Sequence, residues 1–498
     1  FNDILYGSAG DNVLMGGSGN DAIYGLDGND RLEGGRGLDT LRGDGGNDSL
    51  YGGDEDDVLD GGSGSNFLDG GNGTDTVSFG SAAVGYSIDL NAQRAWTSQY
   101  ADTLASIENA VGSGFNDTMY GSDGNNVLMG LNGDDVLYGG AGDDVLHGGA
   151  GSNFLDGGNG NDFVSFESAA VGYSIDLNAQ RAWTSQYADT LASIENAAGS
   201  SFNDTMYGSD GKNVLMGLNG DDVLYGGAGD DVLHGGAGSN RLDGGNGNDT
   251  ASYEGADGGY TIDLANQRTW NGREGDVLFS IENATGSSFN DSIVGSEGAN
   301  LLQGRGGNDI YIVDNATDRV IEAAGEGYDR VLARTSYTLA TGQEIEALNA
   351  DATGSTASID LTGNEFANSL EGSYGANRLD GGAGADTMRG YTGNDTFVFA
   401  NALVTGVFDR IVDFGTSAGD DDTIQLSSSV FGLSTGALAS GVFKDLSQGA
   451  VDTDDRILYD RSSGTLYFDA DGSGSGAGLQ FASLHNRAVL TAGDFMVA

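Results

Sequence analysis

The sequence predicts an all-β chain: a parallel β-roll, or β-solenoid, with a small β-rich unit at its C-terminus. Three observations predict it. A nine-residue unit recurs in register, a second period of 87 residues overlies it, and 89 of the 498 residues are glycine while none is proline. Glycine at about 18% of the chain, against an ordinary ~7%, argues against a common globular core. That much glycine implies a backbone that repeatedly adopts φ > 0 or packs closely against itself.

The nine-residue unit is unbroken from Gly7 to Ser78, as in Gly16-Gly-Ser-Gly-Asn-Asp-Ala-Ile-Tyr24 and Gly34-Gly-Arg-Gly-Leu-Asp-Thr-Leu-Arg42. Its sixth residue is acidic or Asn. Its eighth is apolar: Leu14, Ile23, Leu32, Leu41, Leu50, Leu59, Leu68 and Val77. Complete copies fill 7–78, 112–165, 199–252, 286–312 and 363–398, 27 in all. The pattern G-G-x-G-x-D-x-U-x is that of calcium-binding β-helix repeats.

In chain order, the repeats form blocks at 1–78, 112–165, 199–252, 286–312 and 363–399. Spacers at 79–111, 166–198 and 253–285 separate the first four blocks, and Phe115, Phe202 and Phe289 mark the 87-residue period. Residues 79–153 and 166–240 differ at four positions only. The spacers alternate apolar and polar residues, as in Tyr86-Ser-Ile-Asp-Leu90, which predicts strands continuing the solenoid. Residues 313–362 read as irregular solenoid strands. Residues 400–498 read as a separate C-terminal cap. Phe1 falls inside a repeat, so the chain is expected to begin within a longer protein.

Two nonapeptides make one coil, so residues 18 apart stack at strand spacing, ~4.8 Å. Turn glycines let backbone carbonyls face the gap between stacked turns, and position six adds carboxylates. Oxygen-rich sites of this kind suit Ca²⁺. The expected acidic ligands are Asp3, Asp21, Asp39, Asp57 and Asp75 on one edge of the first block, with Asp30 and Asp48 on the other. Later blocks contribute Asp117, Asp135, Asp144, Asp162, Asp204, Asp222, Asp231, Asp249, Asp291, Asp309, Asp386 and Asp395. Backbone ligands are expected at Gly16, Gly19, Gly34, Gly37, Gly139, Gly142, Gly226, Gly229, Gly381 and Gly384. Asn12, Asn66, Asn126, Asn153, Asn213, Asn240, Asn300, Asn368 and Asn377 supply an oxygen without charge, so sites beside them are expected to be weaker or empty.

The 75 acidic against 20 basic residues, net −55, would repel nucleic acid and anionic membranes and call for bound cations. No apolar run is long enough to span a bilayer. The chain has no cysteine, and its three histidines, His147, His234 and His485, stand in no zinc or nucleophile motif, so no enzyme is expected. Trp96, Trp183 and Trp270 recur at the long period, each near an arginine. They read as caps of the spacer's apolar face, or else as aromatic platforms for a polysaccharide or partner chain.

These residues resemble the repeats-in-toxin (RTX) family of Gram-negative bacteria over residues 1–399. The resemblance implies a right-handed parallel β-roll with many Ca²⁺ ions between its turns, held by carbonyls of positions one to four and by the position-six Asp. It also implies type I secretion in an unfolded state. The tail resembles the family's secretion region at Asp409-Arg-Ile-Val-Asp-Phe414 and Asp494-Phe-Met-Val-Ala498, and Asp469, Asp471 and Ser473 have the spacing of a calcium loop. Phe115, Phe202 and Phe289 depart from the pattern at position four. The expected function is a secreted, extracellular or cell-surface structural protein: a rigid rod serving as surface layer, matrix filament or adhesin stalk, with self-association possible. The alternatives are the folding and export module of a secreted hydrolase or toxin, and a glycan-binding module.

Overall fold

The computed structural model describes residues 1–351, 355–416, 419–472 and 478–498. The chain forms two compact units, Phe1–Ala251 with Asp276–Ser280, and Ser252–Gly275 with Ile281–Ala498. Both consist of short strands, and the one α-helix among the described residues is Ser428–Phe431.

In the first unit each nonapeptide yields a strand that begins at position seven. Ile4–Tyr6, Ala22–Tyr24, Thr40–Arg42 and Val58–Asp60 pair in parallel at steps of 18 residues (Ile4 beside Ala22, Ala22 beside Thr40). The intervening nonapeptides build a second sheet from Val13–Ser18, Arg31–Arg36, Ser49–Asp54 and Phe67–Asn72, again in parallel at 18. The coil length read from the sequence is therefore that of the fold. Strand side chains alternate between faces, and the central ones are wholly buried: Ile23, Leu32, Leu41, Leu50, Leu59, Leu68 and Val77. Each such burial contributes about 1.5–3 kcal/mol. This aliphatic column is the roll's main apolar support.

The spacers do not simply continue the solenoid. On one sheet Thr76–Ser78 pairs directly with Asn109–Val111, in parallel. On the other, three strands enter between Phe67–Asn72 and Thr118–Tyr120: Ala101–Ala105, then Arg94–Trp96 reversed, then Ser87–Asp89. The reversal follows from the turn at Leu90-Asn-Ala-Gln93. There Asp89 Oδ1 accepts the Ala92 N–H at 2.7 Å, and Gln93 takes φ +54°. The spacer at 166–198 repeats this hairpin, with Ser174–Asp176 antiparallel to Arg181–Trp183.

In the second unit one sheet runs in parallel through Ser292–Val294, Ile310–Val313, Arg330–Ala333, Ala347–Ala350, Ser369–Glu371, Thr387–Arg389 and Asp409–Ile411. A second runs through Leu361–Thr362, Arg378–Asp380, Thr396–Phe399, Thr423–Leu426 and Phe495–Val497. Both pass the boundary expected at residue 400 without a break. The tail's strands bury Ile411 and Ile424 completely, as Thr396–Phe399 before them buries Phe397, so they stack as further coils. Elsewhere the tail turns antiparallel, at Ile457–Asp460, Thr465–Phe468 and Leu479–Leu484, and where Gly436–Ala437 meets Phe495–Val497.

Candidate metal sites between the turns

Each position-six side chain divides its two oxygens. Oδ1 accepts the backbone N–H of the position-six residue one coil earlier: Asp3 to Asp21 at 2.7 Å, Asp21 to Asp39 at 2.7 Å, Asp39 to Asp57 and Asp57 to Asp75 at 2.8 Å. The opposite edge does the same through Asp30 and Asp48, and later blocks through Asp135, Asp144, Asp222, Asp231 and Asp249. The second oxygen, Oδ2, is buried and has no hydrogen-bond partner in Asp21, Asp30, Asp39, Asp48, Asp57, Asp75, Asp135, Asp144, Asp162, Asp222, Asp231, Asp309 and Asp386. Leaving one buried carboxylate oxygen unsatisfied is costly, and a regular row of them calls for a cation.

The glycines show why the row is possible. A Cβ on the position-one residues Gly16, Gly34, Gly139, Gly226 or Gly381 would collide with Oδ2 of Asp21, Asp39, Asp144, Asp231 or Asp386. At Gly34, Gly139 and Gly226 it would also press on the carbonyl of the position-one glycine one coil later. Position-four glycines take positive φ, +117° at Gly19, +121° at Gly37, +107° at Gly142, +115° at Gly229 and +120° at Gly384. The cradle is therefore lined by carboxylate and carbonyl oxygen alone, the donor set of Ca²⁺. The residues present fit that ion. When bound it would neutralise Oδ2 and tie one coil to the next.

Burial pushes Asp57, Asp135, Asp144 and Asp222 up to about 7, and Asp48 and Asp231 up to about 6, from an ordinary 3.8. Neighbouring carboxylates add to the rise. The metal-free folded form thus holds protons that the unfolded chain releases near 3.8. Its stability is fully present below that value and is lost as pH rises through about 7. In calcium-free buffer, circular dichroism should show strand at pH 4 and lose it by pH 8, whereas saturating calcium should abolish the loss. A calcium-free spectrum unchanged from pH 4 to 8 would exclude the buried acids as its cause.

Not every turn shares this geometry. In Asp117, Asp204 and Asp291, all expected ligands, Oδ2 is taken by the N–H of Ser113, Ser200 and Ser287, each at 2.6 Å. These are the turns with Phe at position four, and the Ser at position two replaces the glycine and closes the site from within. Where Ser at position two meets Asn at position six, the turn also satisfies itself. Ser122 N–H donates to Asn126 Oδ1 at 2.6 Å while Asn126 Nδ2 donates to the Glu108 carbonyl, and Ser209–Asn213 and Ser296–Asn300 repeat the arrangement. Asn66 and Asn153 instead turn a buried Nδ2 toward Gly61 and Gly148, a donor where Asp would place an oxygen. Asp3 lies exposed in the first coil.

Several members of the ladder escape the nonapeptide pattern. Asp102, Asp189 and Asp276 in the spacers accept the N–H of Asn66, Asn153 and Asn240 at 2.7–2.8 Å, Asp318 extends the ladder at the regular step of 18, and Asp329, Asp409 and Asp422 extend it at steps of 20, 23 and 27. All seven open the tripeptide Asp-x-apolar, positions six to eight without the glycine turn; that is the signal that could have found them. Position five carries a second ladder running the other way, as where Asn29 Oδ1 accepts the Asn47 N–H and Asn47 Oδ1 the Ser65 N–H. Asp469 Oδ1 accepts the Asp471 N–H at 3.2 Å, while Ser473, the third member expected in that loop, lies outside the described residues.

A family model described as the RTX calcium-binding nonapeptide repeat (4 copies) matches residues 1–32, 24–59, 51–82, 105–137, 129–164, 192–224, 216–251, 285–320 and 362–397, more than half of the chain. No curated protein matches it.

Proposed function

Because the chain belongs to the family of RTX calcium-binding nonapeptide repeat proteins, whose repeats bind Ca²⁺, we propose that it is a calcium-stiffened structural protein of the cell exterior. It would serve as a surface layer, matrix filament or adhesin stalk and not as an enzyme. RTX repeats are typical of secreted proteins. Among the described residues no helix is long and apolar enough to cross a membrane.

The observation that carries this reading is duplication down to single bonds. Arg94 stacks on Trp96 at 4.3 Å and Arg181 on Trp183 at 4.4 Å. The two Ser–Asp closures at Asp117 and Asp204 are also alike. A reaction gains little from a second copy of its site, whereas weak contacts repeated along one chain add through avidity. The Trp96 and Trp183 rings end the reversed strands Arg94–Trp96 and Arg181–Trp183. They are half-buried, each with an arginine over it, and Trp270 is 53% exposed. An amphipathic ring presented this way suits contact with another chain.

Two measurements test the reading. Electron microscopy of the purified chain should show ordered assemblies in millimolar calcium and none in chelator. Light scattering in calcium should find that replacing Trp96, Trp183 and Trp270 by Ala reduces particle size to that of the single chain. Wild type that stays dispersed in calcium would reject the structural role. A triple variant that assembles as well as wild type would reject the tryptophans alone.

A further inference from the structure

The second unit holds a cluster that the nonapeptide pattern does not produce. Asp309, Glu322 and Asp329 each present a carboxylate oxygen, and the three oxygens lie within 4.8 Å of one another. The residues are 1%, 2% and 1% exposed. Asp309 Oδ2 and Glu322 Oε2 are buried without a hydrogen-bond partner. The charges that bear on the three are other carboxylates, among them Glu326, Glu344 and Glu346.

One substitution in the repeat and one residue outside it build this pocket. Position eight of Gly304–Ile312 is Tyr311, where the repeats of the first block carry an aliphatic residue. Its ring is wholly buried and its hydroxyl donates to Glu322 Oε1. Gly304 leaves the room: a Cβ there would collide with both Asp309 Oδ2 and the Tyr311 hydroxyl. Glu322 itself follows the strand Arg319–Ile321, outside any nonapeptide. The phenol occupies Glu322 Oε1, which leaves Oε2 buried without a partner.

We propose that Asp309 and Asp329, two rungs of the acid ladder, together with Glu322 hold a hard divalent cation, Ca²⁺, at a site whose ligand set differs in kind from the other gaps between turns. Oxygens gathered around one Ca²⁺ at ~2.4 Å lie no more than about 4.8 Å apart. The other gaps between turns offer neutral carbonyls with few carboxylates, whereas this site brings three carboxylates to one ion. Ligand charge is one of the terms that tune calcium affinity. The ion here is accordingly the last that the chain releases to a chelator.

The proposal builds on the calcium reading above, and equilibrium dialysis of the whole chain against graded free calcium separates the two. Wild type is expected to show one equivalent bound at least ~10-fold more tightly than the rest. Glu322→Gln, which keeps the shape and the Tyr311 hydrogen bond, should lose that equivalent and keep the others. Asp57→Asn should lose a weak equivalent and keep the tight one. Glu322→Gln with an unaltered binding curve overturns the site, because the acids then share protons and not a metal. Wild type that binds no calcium overturns the family reading first. Should Glu322→Gln fail to fold, anomalous scattering from Tb³⁺ soaked into wild-type crystals decides: a peak bridging Asp309 Oδ2 and Glu322 Oε2 is expected, and peaks in the other gaps alone would overturn the proposal.

Discussion

In excess chelator at pH 8 the purified chain should give the circular dichroism of a coil, and millimolar calcium should convert it to strand. The physical case lies in the ladders. At that pH the position-six acids are ionised, yet folding would bury one unsatisfied oxygen on each of Asp21, Asp39, Asp57, Asp75 and their counterparts. Burying unpaired charge costs several kcal/mol per group. Around them 75 acidic residues face only 20 basic ones. The aliphatic column offsets part of this and no more. Each filled site adds about 2.7 kcal/mol when calcium stands a hundredfold above its dissociation constant. Extracellular calcium modules bind at roughly 10⁻⁴–10⁻³ M, so the transition should fall in that range and not at cytosolic concentrations. A strand spectrum that survives excess chelator at pH 8 would falsify calcium-coupled folding.

Gly142→Ala should destabilise the calcium-loaded roll strongly, while Gly124→Ala should leave it nearly unchanged, although both glycines occupy position four on the same edge, one coil apart. Gly142 has φ +107°, and a Cβ there would lie 2.7 Å from the Gly124 carbonyl carbon and 2.8 Å from the Asn125 nitrogen. An L-residue held in that conformation loses ~1–2 kcal/mol before any collision is counted, and the backbone it meets cannot give way. A total of about 2–4 kcal/mol is expected. Gly124 lies in a turn closed by Ser122 and Asn126, its φ is not positive, and its nearest neighbour would be Ser122 Oγ at 3.9 Å. There Ala should change stability by less than about 0.5 kcal/mol. Denaturant titration in saturating calcium measures both. Because repeats contact chiefly their neighbours, hydrogen exchange in Gly142→Ala should rise around residues 121–160 and stay low elsewhere. Equal effects at the two glycines would show that positive φ and the stacked carbonyl are not what position four requires.

The sequence by itself determined the coil, the column and the turns. A period of nine with glycine at one and four, acid at six and an aliphatic residue at eight admits one arrangement of strand and turn. The observed registers, Ile4 beside Ala22 and Val13 beside Arg31, are the 18-residue stack that the period demands. It also marked Phe115, Phe202 and Phe289 as departures, and the turns that contain them do close on Ser113, Ser200 and Ser287. Only the tertiary structure decided which oxygen of each acid remains for a cation. The backbone N–H that occupies Oδ1 comes from a residue 18 to 36 positions away, and nothing local to the acid reveals it. The reversed strand at Arg94–Trp96 was illegible for a related reason. Its alternation is that of any strand, and direction is set by the turn at Gln93 and by which neighbour it meets. The tail's Asp409 and Asp422 and the Asp309–Glu322–Asp329 cluster belong here too. Their spacings along the chain are irregular, and only stacking of the coils brings each of these carboxylates beside the acid it neighbours.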